Sequence, residues 1–524
     1  MNSRHILIFV LLAMLLPLIS AFGEEIITYP PEVTEALEAA GDNRIELEKA
    51  ISHYTSGDDS LKLQALFYLM TNIKEKCYVT YDLLDSAGTQ IDFNVLDYPD
   101  FNTMKAYCDS LEAQQGELDF KKKEKIYDSQ TITADFLIIQ IDYAFRAWRE
   151  KPWAKELSFD SFCEYVLPYR GSSEPLESWR EYFWLKYEDI EDKMTDSSNP
   201  IEAVCIINDN IKSWFSFDSR FYYHPTDQGM TEMLENRMGR CEDMTNLTIY
   251  AMRANGLAVT SDYTPYWANT GNNHAWNAIV TPEGKVIPFM GAESNPGKYR
   301  LTNKLAKVYR KMFSEQKGNL AFQERKQEKM PGYISGKSYI DVTADYVDVC
   351  DVTIPLAIDV SDSANIAYLC VFNSGEWKAI HWGKISDGKV VFSDMGLDIA
   401  YLPALYIDEE IVPFANPFIL HTDSSIQELQ PKGDNTISAR LISTTRRKQE
   451  ISTDGIEKVF LTPGQEYELF YWQDGWQSFE KSAAGEEPLV FHNVPEGCLY
   501  WLVAEGSDKE ERIFAIEDGN QVWW

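Results

Sequence analysis

Residues Met238 to Gly256 read MGRCEDMTNLTIYAMRANG. Gly239 supplies a turn, and after Cys241 the residues Met244, Leu247, Ala251 and Ala254 recur at helical spacing. The stretch therefore predicts an amphipathic helix with a cysteine in its first turn, closed by Asn255-Gly256. A cysteine there feels the positive end of the helix dipole, which lowers its pKa and favours thiolate. Further on, HAWNAIV from His274 predicts a strand, joined by TPEG to KVIPF as a hairpin. A histidine near that thiolate completes an ion pair and shuttles the proton to a leaving group. Spacing alone leaves open the alternative, a buried helix cysteine and a polar histidine at a strand end.

Upstream, SSNPIEAVCIINDNIKSWFSFD carries Asn199 as an N-cap, Pro200 in the first turn, and Val204, Ile207, Ile211 and Trp214 as a buried stripe. With the strand-like LAVTSDYTPYW these elements define an α+β unit over 199–330. Before it, 24–198 reads as a mainly helical domain. Leu137, Ile141, Ala144 and Trp148 share one helix face, and Ser158 caps a helix stapled by Leu157 and Phe162. The run KKKEK at Lys121 to Lys125 reads as a solvated helix face. From Gly336 the chain is strand and turn, with a weak repeat: LCVFNSGEWKAI, VVFSDM and YLPA are matched in order by LFYWQDGWQSF, LVFHNV and WLVA. Two related β-sandwich modules are expected, 337–429 and 436–524, linked by QPKGDN. Trp472 and Trp476 read either as exposed binding residues or as module core.

The formal net charge of −34 repels phosphate backbones and argues against nucleic-acid binding. Residues 1–23 have a basic start, an apolar stretch and a small-x-small site at Ala21-Phe22-Gly23, predicting a signal peptide and a periplasmic or secreted protein that is not membrane-inserted after its removal. The eight scattered cysteines show no C-x-x-C pair, so neither a disulfide scaffold nor structural zinc is expected. The sequon at Asn246 lies inside the predicted cysteine helix, where glycosylation is not expected.

GRCEDMTNLTIYAMRANGLAV followed by HAWNAIVTPEGKVIPF resembles the transglutaminase-like superfamily, whose pattern is carried here by Gly239, Cys241, Asp243, Gly256, His274, Ala275, Trp276, Asn277 and Pro288. The YTPYWANTGNNHAWN stretch is similar to large exported members from Bacteroidetes. The resemblance implies an α+β, papain-like cysteine core in which Cys241 is the nucleophile and His274 the general base and acid. It implies thioester acyl transfer on a peptide, protein or glycopeptide carboxamide, with no cofactor and no metal. The family's Asp after the His strand aligns with Met290, which can orient nothing. Glu293, in the turn just past that strand, is the expected substitute, while Asn277 lies at odd spacing from His274 and points to the opposite face. The multidomain chain is thus expected to be an exported cysteine amidase or peptidase. The alternative is a non-catalytic peptide- or glycan-binding protein that keeps the fold.

Overall fold

The computed structural model describes residues 29–57, 59–326, 329–356, 364–445, 458–507 and 510–524. The signal peptide expected at 1–23 lies outside them. Among the described residues no helix is long and apolar enough to cross a membrane.

Local signals set the central helices. Asn199 Oδ1 accepts the Ile201 N–H at 2.9 Å and opens the helix Pro200–Lys212, whose proline occupies the first turn. The cysteine helix, Cys241–Ala254, ends in a Schellman motif. Gly256 takes φ +74°, the Leu257 N–H reaches Met252 O at 3.0 Å, and the Gly256 N–H reaches Arg253 O at 3.1 Å. A side chain on Gly256 would also press on the Ala147 carbonyl oxygen and Ala154 Cβ, both at 3.0 Å.

The cysteine helix is buried on every side, with only Glu242 excepted. On one side it packs against the helices Ala134–Glu150 and Arg180–Lys186, and on the other against the strands Val259–Thr264 and His274–Val280. Those strands belong to an antiparallel five-stranded sheet in the order Val286–Phe289, His274–Val280, Val259–Thr264, Tyr309–Lys311, Tyr339–Asp341. The apolar core of this region runs without a break from Val33 to Val342, so the N-terminal helices and the α+β unit share one interior. Buried arginines tie the layers where apolar contact gives out. Arg180 donates to Gln140 Oε1 at 2.7 Å and to the carbonyls of Val166 and Leu167 at 2.6 Å, which satisfies a guanidinium that would otherwise be costly to bury.

The N-terminal region is helical apart from a ribbon of Cys77–Leu84 paired antiparallel with Asp119–Tyr127. That second strand contains Lys121 to Lys125, so KKKEK is a solvated strand and not the helix face expected. Five charged residues carry no apolar period to read; their conformation is set by pairing with Cys77–Leu84.

Among the described residues the C-terminal part is mainly β, and its strand pairing repeats. Ile366–Asn373 pairs with Glu376–Ser386 and with Ile399–Ile407, just as Glu466–Trp472 pairs with Trp476–Ala483 and with Tyr500–Ala504. The register shifts at the same place in both hairpins, between Leu369 and Cys370 and between Leu469 and Phe470. Strand alternation explains the all-apolar IAYLCVFN. Ala367, Leu369 and Val371 pack with Val390 and Phe392, whereas Tyr368, Cys370 and Phe372 pack with Trp472, Trp501 and Tyr309. Trp472 is buried in that second cluster, with Trp476 packed at its edge. Arg512 locks the contact by donating to Phe372 O at 2.6 Å, Ala268 O at 2.7 Å and Trp524 O at 2.9 Å.

Candidate active site

The turn before the cysteine helix is shaped by two residues of the sequence pattern. Asp243 Oδ2 accepts the Arg240 N–H and its Oδ1 accepts the Gln228 N–H, each at 2.9 Å, which fixes the first turn against the preceding loop. A Cβ at Gly239 would stand 2.6 Å from Asp243 Cβ and 2.7 Å from Gln228 Nε2, so only glycine leaves this approach open. Burial raises the Asp243 carboxyl to about 6, against the pull of Arg240.

Cys241 and His274 line one cavity of about 410 Å³. The Ala275 backbone N–H favours the ionised Cys241 sulfur, in line with a thiol near the start of the histidine strand. The imidazole stacks on Trp267, with ring centres 5.8 Å apart, and His274 Nε2 lies 2.8 Å from Tyr299 Oη. Two ion pairs border the same cavity: Arg240 with Asp227 at 2.8 Å, and Lys311 with Glu242. Lys311 also donates to Ser172 Oγ at 2.8 Å.

Glu293 is exposed on its turn, and Tyr299 occupies the hydrogen-bonding position on the imidazole considered for it. Its carboxylate acts one step back, helping burial to raise the Tyr299 hydroxyl. Met290 is 1% exposed and belongs to the main apolar core. Asn277 is buried facing the cysteine helix, donating to Thr245 O at 3.2 Å, as its odd spacing from His274 requires.

Burial opposes the expected charge state. It pushes the Cys241 thiol up to about 11, with Glu242 adding to the effect and the Ala275 N–H and Arg240 opposing it. It pulls the His274 imidazole down to about 4, with Glu242 opposing. Both shifts favour the neutral thiol and the neutral imidazole and so oppose the thiolate that the helix position favours. All eight cysteines are free. Among the described residues no group of three or more His, Cys, Asp or Glu side chains is placed to hold a metal ion.

Tyr299, Trp267, Lys311 and Ser172 were not legible as site residues. Only Trp267 sits near the motif in sequence, and its aromatic neighbours gave no reason to prefer it.

A buried helix that starts at a cysteine and packs on an antiparallel sheet opened by a histidine has the layout of the cysteine-protease-like α+β class. The chain carries a domain of that kind: the model of the Transglutaminase-like superfamily matches residues 188–289. The match includes Cys241 and His274 and ends one residue before Met290. Comparison with curated proteins finds no match to the chain.

Proposed function

We propose that this protein is an exported cysteine amidase or peptidase working by thioester acyl transfer. The observation that carries the proposal is the cavity shared by Cys241 and His274 at the first turn of the buried helix. Cys241 Sγ adds to an amide carbonyl carbon while its proton passes to His274. The C–N bond then breaks and His274 returns the proton to the leaving amine. Water, deprotonated by His274, adds to the thioester, and the C–S bond breaks to release the acid and restore the thiol. The first-turn N–H of Cys241, unpaired within the helix, faces the developing oxyanion; losing such a donor typically costs about 3 kcal/mol. When His274 carries the proton, Nε2–H donates to Tyr299 Oη, a neutral acceptor where the family has a carboxylate.

The first step needs the imidazole unprotonated. The leader-like composition of residues 1–23 supports export, and the repeated strand pairing supports reading 337–429 and 436–524 as β-sandwich modules. The test is amine or ammonia release from a panel of peptides and glutamine- or asparagine-containing substrates, with Cys241→Ala as the control. Release lost in that variant supports the proposal; release unchanged in it defeats the proposal. Met290 in place of the acid favours a second reading, a binding protein without turnover. It predicts saturable peptide or glycan binding that Cys241→Ala leaves intact, with no release by the wild type.

A further inference from the structure

Beside the Cys241 cavity lies a second one of about 200 Å³, and the two share Ser172, Ser173 and Lys311 as a common wall. Its lining is unusual for a chain of net charge −34: four cationic side chains, Lys76, Arg170, Arg253 and Lys311, together with hydroxyls such as Ser172 and Ser338, and among the described residues no carboxylate.

The four cations are not equally compensated. Arg170 grips Asp128 and the Glu174 carbonyl behind the wall. Arg253 donates to the carbonyls of Val259 at 3.0 Å and Arg170 at 2.7 Å, and Lys311 is paired with Glu242. Lys76 differs. Its ammonium donates to Ser338 Oγ at 3.3 Å and lies 4.8 Å from the centre of the Phe313 ring. Burial draws it down to about 8, an effect that Glu164 and Asp128 only partly offset. An anion in the cavity would supply the missing counter-charge in a site already furnished with hydroxyl donors.

We propose that this cavity is an anion subsite that seats a carboxylate of the acyl-donor substrate, with Lys76 as its principal cation. The substrate of the Cys241 site is then an acidic peptide, one with a free carboxylate a short reach from the amide attacked. This inference rests on the acyl-transfer reading of Cys241. One feature argues for a substrate group and not a free ion: the wall of Ser172, Ser173 and Lys311 that the cavity shares with the Cys241 cavity.

A ladder of affinity labels tests it on the full-length protein. Bromoacetyl-glycine, bromoacetyl-β-alanine and bromoacetyl-aminocaproate are each compared with the matching carboxamide, and labelling of Cys241 is followed by peptide mapping. At one spacer length the carboxylate should label Cys241 at least about tenfold faster than its carboxamide. Lys76→Gln should abolish that preference, and Lys76→Arg should retain it. No preference at any spacer, or a preference that survives Lys76→Gln, overturns the proposal. Faster labelling by the phosphate analogue, bromoacetyl-phosphoethanolamine, than by the best carboxylate would overturn the carboxylate assignment. Failure of Cys241 to react with any member, carboxamides included, would sink the acyl-transfer reading instead and is told apart by that pattern.

Discussion

His274 Nε2 and Tyr299 Oη lie 2.8 Å apart, so the imidazole that faces the Cys241 cavity is oriented by a phenol and not by a carboxylate. A carboxylate on that nitrogen would stabilise the imidazolium formed in mid-reaction by charge as well as by geometry. A phenol holds the ring in place but, being both donor and acceptor, does not fix its tautomer, and it brings no charge, which accords with an imidazole pulled down to about 4. Tyr299→Phe keeps the packed ring and removes only the hydroxyl. Loss of one neutral hydrogen bond of about 1 kcal/mol should slow acylation of Cys241 by about fivefold to tenfold, with little change in stability. Glu293→Gln, whose side chain is exposed, should change the rate by less than about twofold. Single-turnover acylation rates for the two variants check both.

The shifts of the pair have a pH signature. Burial pushes the Cys241 thiol up to about 11 and pulls the His274 imidazole down to about 4. Because thiolate is the reactive form, iodoacetamide labelling of Cys241 should rise about tenfold per pH unit through the neutral range, with no plateau. A plateau in wild-type labelling that begins near pH 6 and is lost in His274→Ala would mean that a thiolate–imidazolium pair forms instead.

His274 also sets an acid sensitivity. Its folded pKa is lowered from 6.5 to about 4, so the unfolded chain binds the proton first as pH falls. Stability contributed by the buried neutral ring is present above about 6.5 and is lost progressively from there toward 4. Urea unfolding followed at pH 7 and pH 5 should show a smaller loss for His274→Gln than for the wild type.

Much of the core was legible in sequence because its signals are local. Asn199, Pro200 and Gly256 cap helices through contacts within a few residues, and HAWNAIV with KVIPF forms a hairpin whose turn is written beside it. The pairing of Tyr299 with His274 is not local. Tyr299 lies in the loop NPGKYR, with no periodicity, and reaches the ring only because Gly297 turns the chain at φ +80°. The burial of the cysteine helix was illegible for a related reason. Helical spacing reveals one apolar stripe, but not that the N-terminal helices cover the opposite face of the cysteine helix.

Gly239→Ala tests the turn that presents the cysteine. The added methyl meets Asp243 and Gln228 well inside normal contact distance, so the variant should lose about 1–3 kcal/mol in urea unfolding. Cys241 labelling should also lose its dependence on His274, since the first turn must shift to make room.

Arg512→Leu tests whether the C-terminal strands support the site. It leaves the carbonyls of Phe372, Ala268 and Trp524 without this donor, and Ala268 adjoins the Trp267 that stacks on His274. Amide hydrogen exchange over residues 267–274 should quicken in the variant while exchange in the helix Pro200–Lys212 stays as in the wild type.

The central claim is that Cys241 is an acyl-accepting nucleophile served by His274, and trapping the acyl-enzyme tests it most directly. The protein is mixed with p-nitrophenyl acetate, p-nitrophenol release is followed, and the acetyl group is located by peptide mapping. A burst matched by one acetyl group on Cys241 is expected, absent in Cys241→Ala and at least about tenfold slower in His274→Ala. Acetylation spread over Cys77, Cys205 and Cys350 with Cys241 no faster than they are, and no effect of His274→Ala, would contradict it.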